Sequence, residues 1–298
     1  MAGPTAGVVG LGSMGFGIAS SLLRAGLDTC GFDINVDQVR RLGKLGGRSG
    51  ELAALAPEID ILVVVVVNAA QLEQVLFGPG GAAAALRKGA VVVGCPTVAP
   101  DVARQIEARL TAAGIHYLDA PISGGAVKAE AGELTVLMSG APAAVAAAQP
   151  ALDAMAGKVF ALGDEAGPAS AMKMINQLLA GVHIAAAAEA MTFGLSQGIP
   201  LAKTLEVISQ AAGTSWMFEN RGPHIVAGDY SPRSAVDIFI KDLGIVAEAA
   251  REARFPVPLA AAALQQFVAA GGFGLGREDD AAVAKVYARN SGLKLPGA

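Results

Sequence analysis

Between Asp60 and Asn68 the chain reads DILVVVVVN, an unbroken apolar run held between two polar residues. A strand with one face in water alternates apolar and polar side chains, so a β-branched run without alternation is a strand buried on both faces. Such strands belong to parallel sheets covered by helices on either side. The segments AGVVGL, DTCGFD, AVVVGC and HYLDAPI read as further strands, and GELTVLMSG and KVFALG as later ones. Alanine-rich helical stretches separate them, among them GFGIASSLLRAG, which ends at Gly26. The alternation predicts a doubly wound parallel sheet.

The pattern changes after Gly163. From Gly167 to about Ser196 there is one long helical pattern, with Pro168 suited to its first turn. Further helical stretches follow, broken at QGIPL, AGDYSP and REARFPVP, and no strand run reappears. The expected organisation is an α/β domain over 1–163, a connecting helix over 164–195 and an all-α domain over 196–298. The last residues, SGLKLPGA, read as a loose tail. A chain of 298 residues is long enough for two such domains.

Hydrophobic residues make up 53% of the chain and its mean hydropathy is +0.50, which raises the question of a membrane span. The uncharged stretch from Met174 to Ala188 carries Asn176, Gln177 and His183. A spanning helix needs about 20 predominantly apolar residues. Scattered alanine and valine therefore indicate a large buried core and no membrane partner. A net charge of −4 and a pI of about 5.4 offer no electrostatic footprint for nucleic acid. Two cysteines, Cys30 and Cys95, make no disulfide framework, and MAGPTAGVVG lacks the basic start of a secretory signal. His116, His183 and His224 have no metal-ligand spacing. The expectation is a cytoplasmic protein with no metal and a small-molecule partner.

GVVGLGSMGFG contains G-x-G-x-x-G as Gly10, Gly12 and Gly15, with Leu11, Ser13 and Met14 between them. Glycine-rich turns are common, but this one follows a strand, opens a helix and is followed by an acid at the end of the next strand. In that context it is the fingerprint of a Rossmann-type dinucleotide site. Gly10 permits the tight turn, Gly12 lets backbone approach a pyrophosphate, and Gly15 allows close helix–strand packing. The helix N-terminus supplies N–H groups and a positive dipole end. Asp33, in GFDIN, is placed to accept hydrogen bonds from an adenosine ribose. It would repel a 2′-phosphate, and no arginine immediately follows, so NAD is expected over NADP.

One cation is set into the apolar helical stretch GPASAMKMINQLLAGVHIAAAAEAM. Apart from His183, Lys173 is its only basic residue. Burying an ammonium costs several kcal/mol unless it is paired or gives up its proton. Residues three and four apart share a helix face, so Lys173, Asn176 and Gln177 are expected to project together. A lysine with two amides suits proton transfer coupled to hydride transfer.

Taken together these motifs resemble the β-hydroxyacid dehydrogenases, the group of 3-hydroxyisobutyrate dehydrogenase, tartronate semialdehyde reductase and the glyoxylate/succinic semialdehyde reductases. The resemblance covers residues 5 to 290 and rests on GVVGLGSMGFGIA, LDAPISGGAVKAEAGELTVLMSG, GPASAMKMINQ and IKDLGIV. Within the group, NQLLAGVHIAAAAEAM, SWMFENRGPHIVAGDY and SAVDIFIKDLG resemble the branch that acts on L-threonate. The resemblance implies that Lys173 is the catalytic acid/base and that Ser123, Gly124 and Gly125 bind the substrate carboxylate. A Ser-Gly-Gly loop suits an anion, offering a hydroxyl and unhindered N–H groups. It also implies that Thr97 lies beside the nicotinamide and that Lys241 faces the cofactor, and Asn68 is assigned to the cofactor side with them. The chain departs from the family pattern at Gln177, where many members have asparagine, at Ala169, where a glycine is usual, and in the GCPT loop. Either Asn176 or Gln177 is then the substrate contact.

The implied activity is NAD-dependent oxidation of a small hydroxy acid, L-threonate at C2 to 2-dehydro-L-erythronate. Its alternatives are 3-hydroxyisobutyrate or tartronate semialdehyde chemistry, and, outside enzymes, a silent dinucleotide-binding assembly module. Extra polar groups for a polyhydroxy substrate are expected from Gln177, Asn220 and Arg221, with Trp216 and Phe218 as walls. A long helix apolar on most sides also implies a partner chain, in a homodimer or homotetramer.

Overall fold

In the computed structural model, which describes residues 3–297, the apolar run divides in two: Ile61–Val64 is a strand and the next three valines leave the sheet. Five strands, β1 (Thr5–Val9), β2 (Asp28–Phe32), β3 (Ile61–Val64), β4 (Val91–Gly94) and β5 (His116–Asp119), form one parallel sheet in the order β2-β1-β3-β4-β5. Helices α1 (Gly15–Arg24), α2 (Val36–Gly43), α3 (Leu52–Leu55), α4 (Ala69–Phe77) and α5 (Pro100–Ala112) lie in the connections. Alternate residues of β3 serve opposite layers. Ile61 and Val63 pack with Ile18 and Leu22 of α1, while Leu62 and Val64 pack with Leu72 and Leu76 of α4 and Ile106 and Leu110 of α5. All four β3 side chains are buried, each contributing roughly 1.5–3 kcal/mol of transfer free energy. The doubly wound α/β architecture is thus the one the apolar run implies.

Chain order reverses between β1 and β3, and in such sheets ligands bind beyond the carboxyl ends of the strands at this switch point. The departing valines serve that edge.

The stretch HYLDAPI does not remain one strand. Pro121, which has no N–H to give a ladder, separates β5 from the short β6 (Ile122–Ser123). A second, mixed sheet follows in the order β6-β7-β8, with β7 (Leu134–Met138) and β8 (Ala156–Ala161) parallel and β6 antiparallel to β7. Helices α6 (Gly125–Ala131) and α7 (Pro142–Met155) accompany it. The later strand-like segments therefore form their own sheet instead of extending the first.

The remainder is helical: α8 (Pro168–Ser196), α9 (Leu201–Ile208), α10 (Trp216–Ala227), α11 (Val236–Glu252), α12 (Pro258–Gly272) and α13 (Ala284–Asn290). By its internal contacts the chain resolves into two compact units that divide within α8, between Lys173 and Met174. In the second unit Ile184, Ala188 and Met191 of α8 enter a core with Phe239 and Leu243 of α11 and Phe267 of α12. The Phe239 and Phe267 rings stack at 5.2 Å. Helix α8 is long and apolar enough by composition to cross a membrane, yet half of that window is buried inside the protein. A glycine in the helix lets a neighbour approach closely: a Cβ on Gly181 would lie 2.8 Å from Leu243.

The chain up to Gly297 is not loose. Leu295 is buried in the helical core, and Gly297, with φ +64°, packs so close to Gly228 that a Cβ would lie 2.2 Å from the Gly228 carbonyl oxygen. The SGLKLPGA segment reads as a tail because its apolar anchors are only two leucines, and their partners are far away in sequence.

Both cysteines are buried and free. Burial pushes the Cys95 thiol up to about 12 and raises that of Cys30. Because the thiolate is the reactive form, neither should react with a thiol reagent near neutral pH until the protein unfolds. Rapid stoichiometric labelling of the folded protein would contradict this burial.

Candidate active site

The turn after β1 is fixed by three glycines for different reasons. Gly10 has φ +91°, donates its N–H to the Phe32 carbonyl at 2.8 Å, and would place a Cβ 2.5 Å from the Val65 carbonyl oxygen. A Cβ on Gly15 would lie 1.8 Å from the Gly10 carbonyl oxygen. Both are therefore glycine because the protein itself fills the space. Gly12 differs: a Cβ there would meet nothing within 4 Å among the described residues, and its φ lies outside the region that favours glycine. Nothing internal demands a missing side chain at Gly12, so the open cradle fits a group approaching from outside, as a dinucleotide pyrophosphate does.

Asp33 braces the same turn. Its Oδ2 accepts the Leu11 N–H at 2.5 Å and its Oδ1 accepts the Asn35 N–H at 2.7 Å. Each carboxylate oxygen keeps acceptor capacity for a ribose hydroxyl. Ile34 beside it is fully exposed. Ser13 is exposed and Met14 half-buried at the start of α1. Across the switch point, Asn68 caps α4 by accepting the Gln71 N–H at 2.9 Å, and the Gln71 side chain accepts the Val67 N–H at 2.8 Å. Thr97, half-buried, lies in the loop after β4.

In the same unit, Lys173 is only 7% exposed, and its Nζ donates to the Ile122 carbonyl at 2.9 Å. The next residue is Ser123, followed by Gly124 and Gly125 with φ +132° and +74°, conformations that other residues rarely adopt. The structure thus brings the lysine amine to the strand that leads directly into the Ser-Gly-Gly loop.

Asn176 and Gln177 belong to the second unit and do not share one environment. Gln177 is buried and Asn176 exposed, because four residues along a helix nearly repeat the direction of Lys173 while three fall to its side. Gln177 Nε2 donates to Asp242 Oδ2 at 2.5 Å, and its Oε1 accepts from Asn176 Nδ2 at 2.9 Å. Lys241 Nζ pairs with the other oxygen of Asp242. Asp242, only 2% exposed, was not among the expected site residues. Its signal was its place beside Lys241 in IKDLGIV, which alone reads as a surface pair.

The expectation for SWMFENR needs correction. Arg221 is buried and grips Asp280 through Nε at 2.5 Å and Nη2 at 2.9 Å, while Phe218 lies in the helical core. Both serve the interior of the second unit, leaving Trp216 and Asn220 exposed. Two of the three guanidinium nitrogens of Arg221 are thus spent on the buried Asp280, and the third, Nη1, donates to Asn220 Oδ1.

A glycine cradle at a sheet switch point, an acid after the second strand and a buried lysine at the Ser-Gly-Gly strand define a class, the dinucleotide-dependent oxidoreductases. Residues 5–163 match the family profile described as the NAD binding domain of 6-phosphogluconate dehydrogenase, and residues 167–287 that of the NAD-binding of NADP-dependent 3-hydroxyisobutyrate dehydrogenase. The L-threonate dehydrogenase of Escherichia coli K12 is 51% identical over 98% of this chain and 96% of its own length. That of Cupriavidus necator is 50% identical over 98% and 97%. A solved structure named 3-hydroxyisobutyrate dehydrogenase from Salmonella typhimurium superimposes with a TM-score of 0.91 at 51% identity, covering 95% of this chain and 100% of that one. The chain belongs to the 3-hydroxyisobutyrate dehydrogenase family and is an NAD-dependent hydroxyacid dehydrogenase.

Proposed function

We propose that this enzyme oxidises L-threonate at C2 to 2-dehydro-L-erythronate, with Lys173 as the proton acceptor. The observation that carries the chemistry is the buried Lys173 amine held at Ile122, one residue before the Ser123–Gly125 loop. Ser123 and the backbone N–H groups of Gly124 and Gly125 receive the substrate carboxylate, which sets the adjacent hydroxyl toward the lysine. Neutral Lys173 takes the hydroxyl proton as the C2–H bond gives up its hydride, so the carbinol becomes a carbonyl. The nicotinamide, when bound, supplies the hydride acceptor. Gly10, Gly12, Gly15 and Asp33 hold the dinucleotide, with Asn68, Thr97 and Lys241 assigned to it as well.

Two similar proteins carry different names at the same level of identity: L-threonate dehydrogenase for the E. coli protein and 3-hydroxyisobutyrate dehydrogenase for the S. typhimurium structure. Gln177 favours the first. An amide held at both ends, by Asp242 and by Asn176, is an ordered polar group suited to a polyhydroxy acid and wasted on a methyl-bearing one. The test is reduced-nicotinamide formation with L-threonate, 3-hydroxyisobutyrate and glycerate. The expected result is the highest kcat/KM for L-threonate, since a site built around substrate hydroxyls discriminates against analogues that lack them. Equal or better activity on 3-hydroxyisobutyrate removes the threonate assignment and leaves the family activity.

Asp33 supports a preference for NAD over NADP. Asp33→Ser should narrow the ratio of kcat/KM between the cofactors. It should also weaken NAD itself, because the carboxylate holds the Leu11 N–H as well. An unchanged ratio would locate the preference elsewhere.

A second copy of the chain is the partner we assign to α8. Leu179, Ala186 and Phe193 are exposed at seven-residue intervals, with Ile175 four residues before them. That is the spacing of a seam between packed helices. Leu179→Glu should lower the oligomeric mass measured by light scattering, and an unaltered mass would mean the stripe is not the contact.

A further inference from the structure

Helix α8 starts at Pro168, and the residue before it is Gly167, which has no side chain to cap the N–H groups of the first turn. The cap comes from far away in sequence. Asp119, at the end of β5 and 0% exposed, accepts the Gly167 N–H at 3.0 Å and the Ser170 N–H at 3.0 Å on Oδ2, and the Ser170 hydroxyl at 2.8 Å on Oδ1. Ser139 completes the set: its Oγ accepts the Ala169 N–H at 3.0 Å and lies 3.4 Å from Asp119 Oδ2. Asp119 and Ser139 are held in register by backbone hydrogen bonds of 3.0 and 2.9 Å in the two directions. With Pro168 lacking an N–H, the backbone donors of Gly167, Ala169 and Ser170 are all bound by this pair.

Burial pushes the Asp119 carboxyl up, against the donors that favour its ionised form. Position 167 cannot supply the cap itself, because Gly167 is buried with φ +117° and a Cβ there would lie 2.5 Å from Arg104 Nη1. What a local cap does not supply is a fixed relation between the helix and the strand. Three residues after Asp119, the Ile122 carbonyl accepts the Lys173 amine, and Lys173 itself is three residues after Ser170. Asp119, Ser170, Lys173 and Ile122 therefore close a ring, with a hydrogen bond at each end and a short length of backbone on each side.

We propose that Asp119 is a positioning residue for Lys173: by gripping the first turn of α8 it sets the depth and rotation at which the lysine amine meets the Ile122–Ser123 strand. The proposal rests on Lys173 being the proton acceptor. Asp119→Asn keeps the shape but turns one acceptor oxygen into an NH2 group facing N–H donors. Two measurements test it. Labelling of Lys173 by a small amine-directed reagent, read by mass spectrometry of its peptide, should rise about 10-fold in the variant as the ring opens. In the oxidation of L-threonate, kcat should fall about 30-fold, the scale of misplacing a reacting group by under an ångström. NAD affinity should stay within about twofold, since the dinucleotide turn is untouched.

A double-mutant cycle separates positioning from general support. In a Lys173→Ala background, Asp119→Asn should change the residual rate by less than about threefold, because the group it positions is gone. An equal loss in both backgrounds, or unchanged Lys173 labelling, overturns the proposal. If Asp119→Asn does not fold, Ser170→Ala, which removes only the hydroxyl contact, takes its place in the same cycle. If Lys173→Ala keeps full turnover, the proton-acceptor assignment fails, and the labelling result still decides whether Asp119 holds the lysine.

Discussion

Lys173→Ala lowers kcat by about 100-fold or more, the scale of losing a general acid–base, and leaves NAD affinity within about twofold. The side chain is buried in an otherwise apolar stretch of helix, and its amine points at a strand carbonyl next to the Ser-Gly-Gly loop. Its removal takes away the hydrogen bond to the Ile122 carbonyl and a proton acceptor, and leaves the glycines of the dinucleotide turn in place. Lys173→Arg should be nearly as inactive although it keeps the positive charge, because a guanidinium does not give up its proton and so cannot accept one from substrate. This pair of variants distinguishes proton transfer from electrostatic support. Steady-state rates with saturating NAD, together with a melting curve for each variant, provide the check. Near wild-type turnover in Lys173→Ala would remove the lysine from the chemistry. A parallel loss of melting temperature and NAD affinity would make it a structural residue.

What the sequence made legible and what it hid divide along the distance between partners. The β-branched run at Ile61–Val67 and the glycine spacing at Gly10–Gly15 are local patterns, and each is intelligible from neighbours within a few residues. The end of β3 at Val64 was not legible: Val65 still donates its N–H to the Val9 carbonyl, but its own carbonyl lies against Gly10, more than fifty residues earlier in the chain. Nor were the buried carboxylates Asp119 and Asp242. Asp119 reaches Ser170 and Asp242 reaches Gln177, and periodicity carries no trace of such pairings. Arg221 misled for the same reason: in ENRG it looks like a solvated or ligand-facing cation, and only the fold supplies Asp280. A buried charge is cheap to recognise as unusual, but its meaning depends on which distant group neutralises it.

The glycines of the dinucleotide turn should separate under substitution, which tests the cradle without any substrate. Gly15→Ala places a methyl group where the Gly10 carbonyl oxygen already lies, 1.8 Å away, and backbone cannot swing aside as a side chain can. The start of α1 must move relative to β1, at a cost of about 3 kcal/mol or more, at the upper end of overpacking penalties. Gly12→Ala meets no such obstacle and needs no unusual φ, so stability should change by less than about 0.5 kcal/mol, as for an exposed position. Its effect should appear only when NAD is added. A methyl group in the cradle keeps the pyrophosphate from the backbone, and a loss of about 2.8 kcal/mol corresponds to 100-fold weaker binding. Melting curves and NAD titrations of the two variants measure both quantities. A Gly12→Ala protein that binds NAD normally would show that the open space at this turn is not where the dinucleotide lies. A Gly15→Ala protein as stable as the parent would show that the close approach of Gly10 and Gly15 is not what holds α1 against β1.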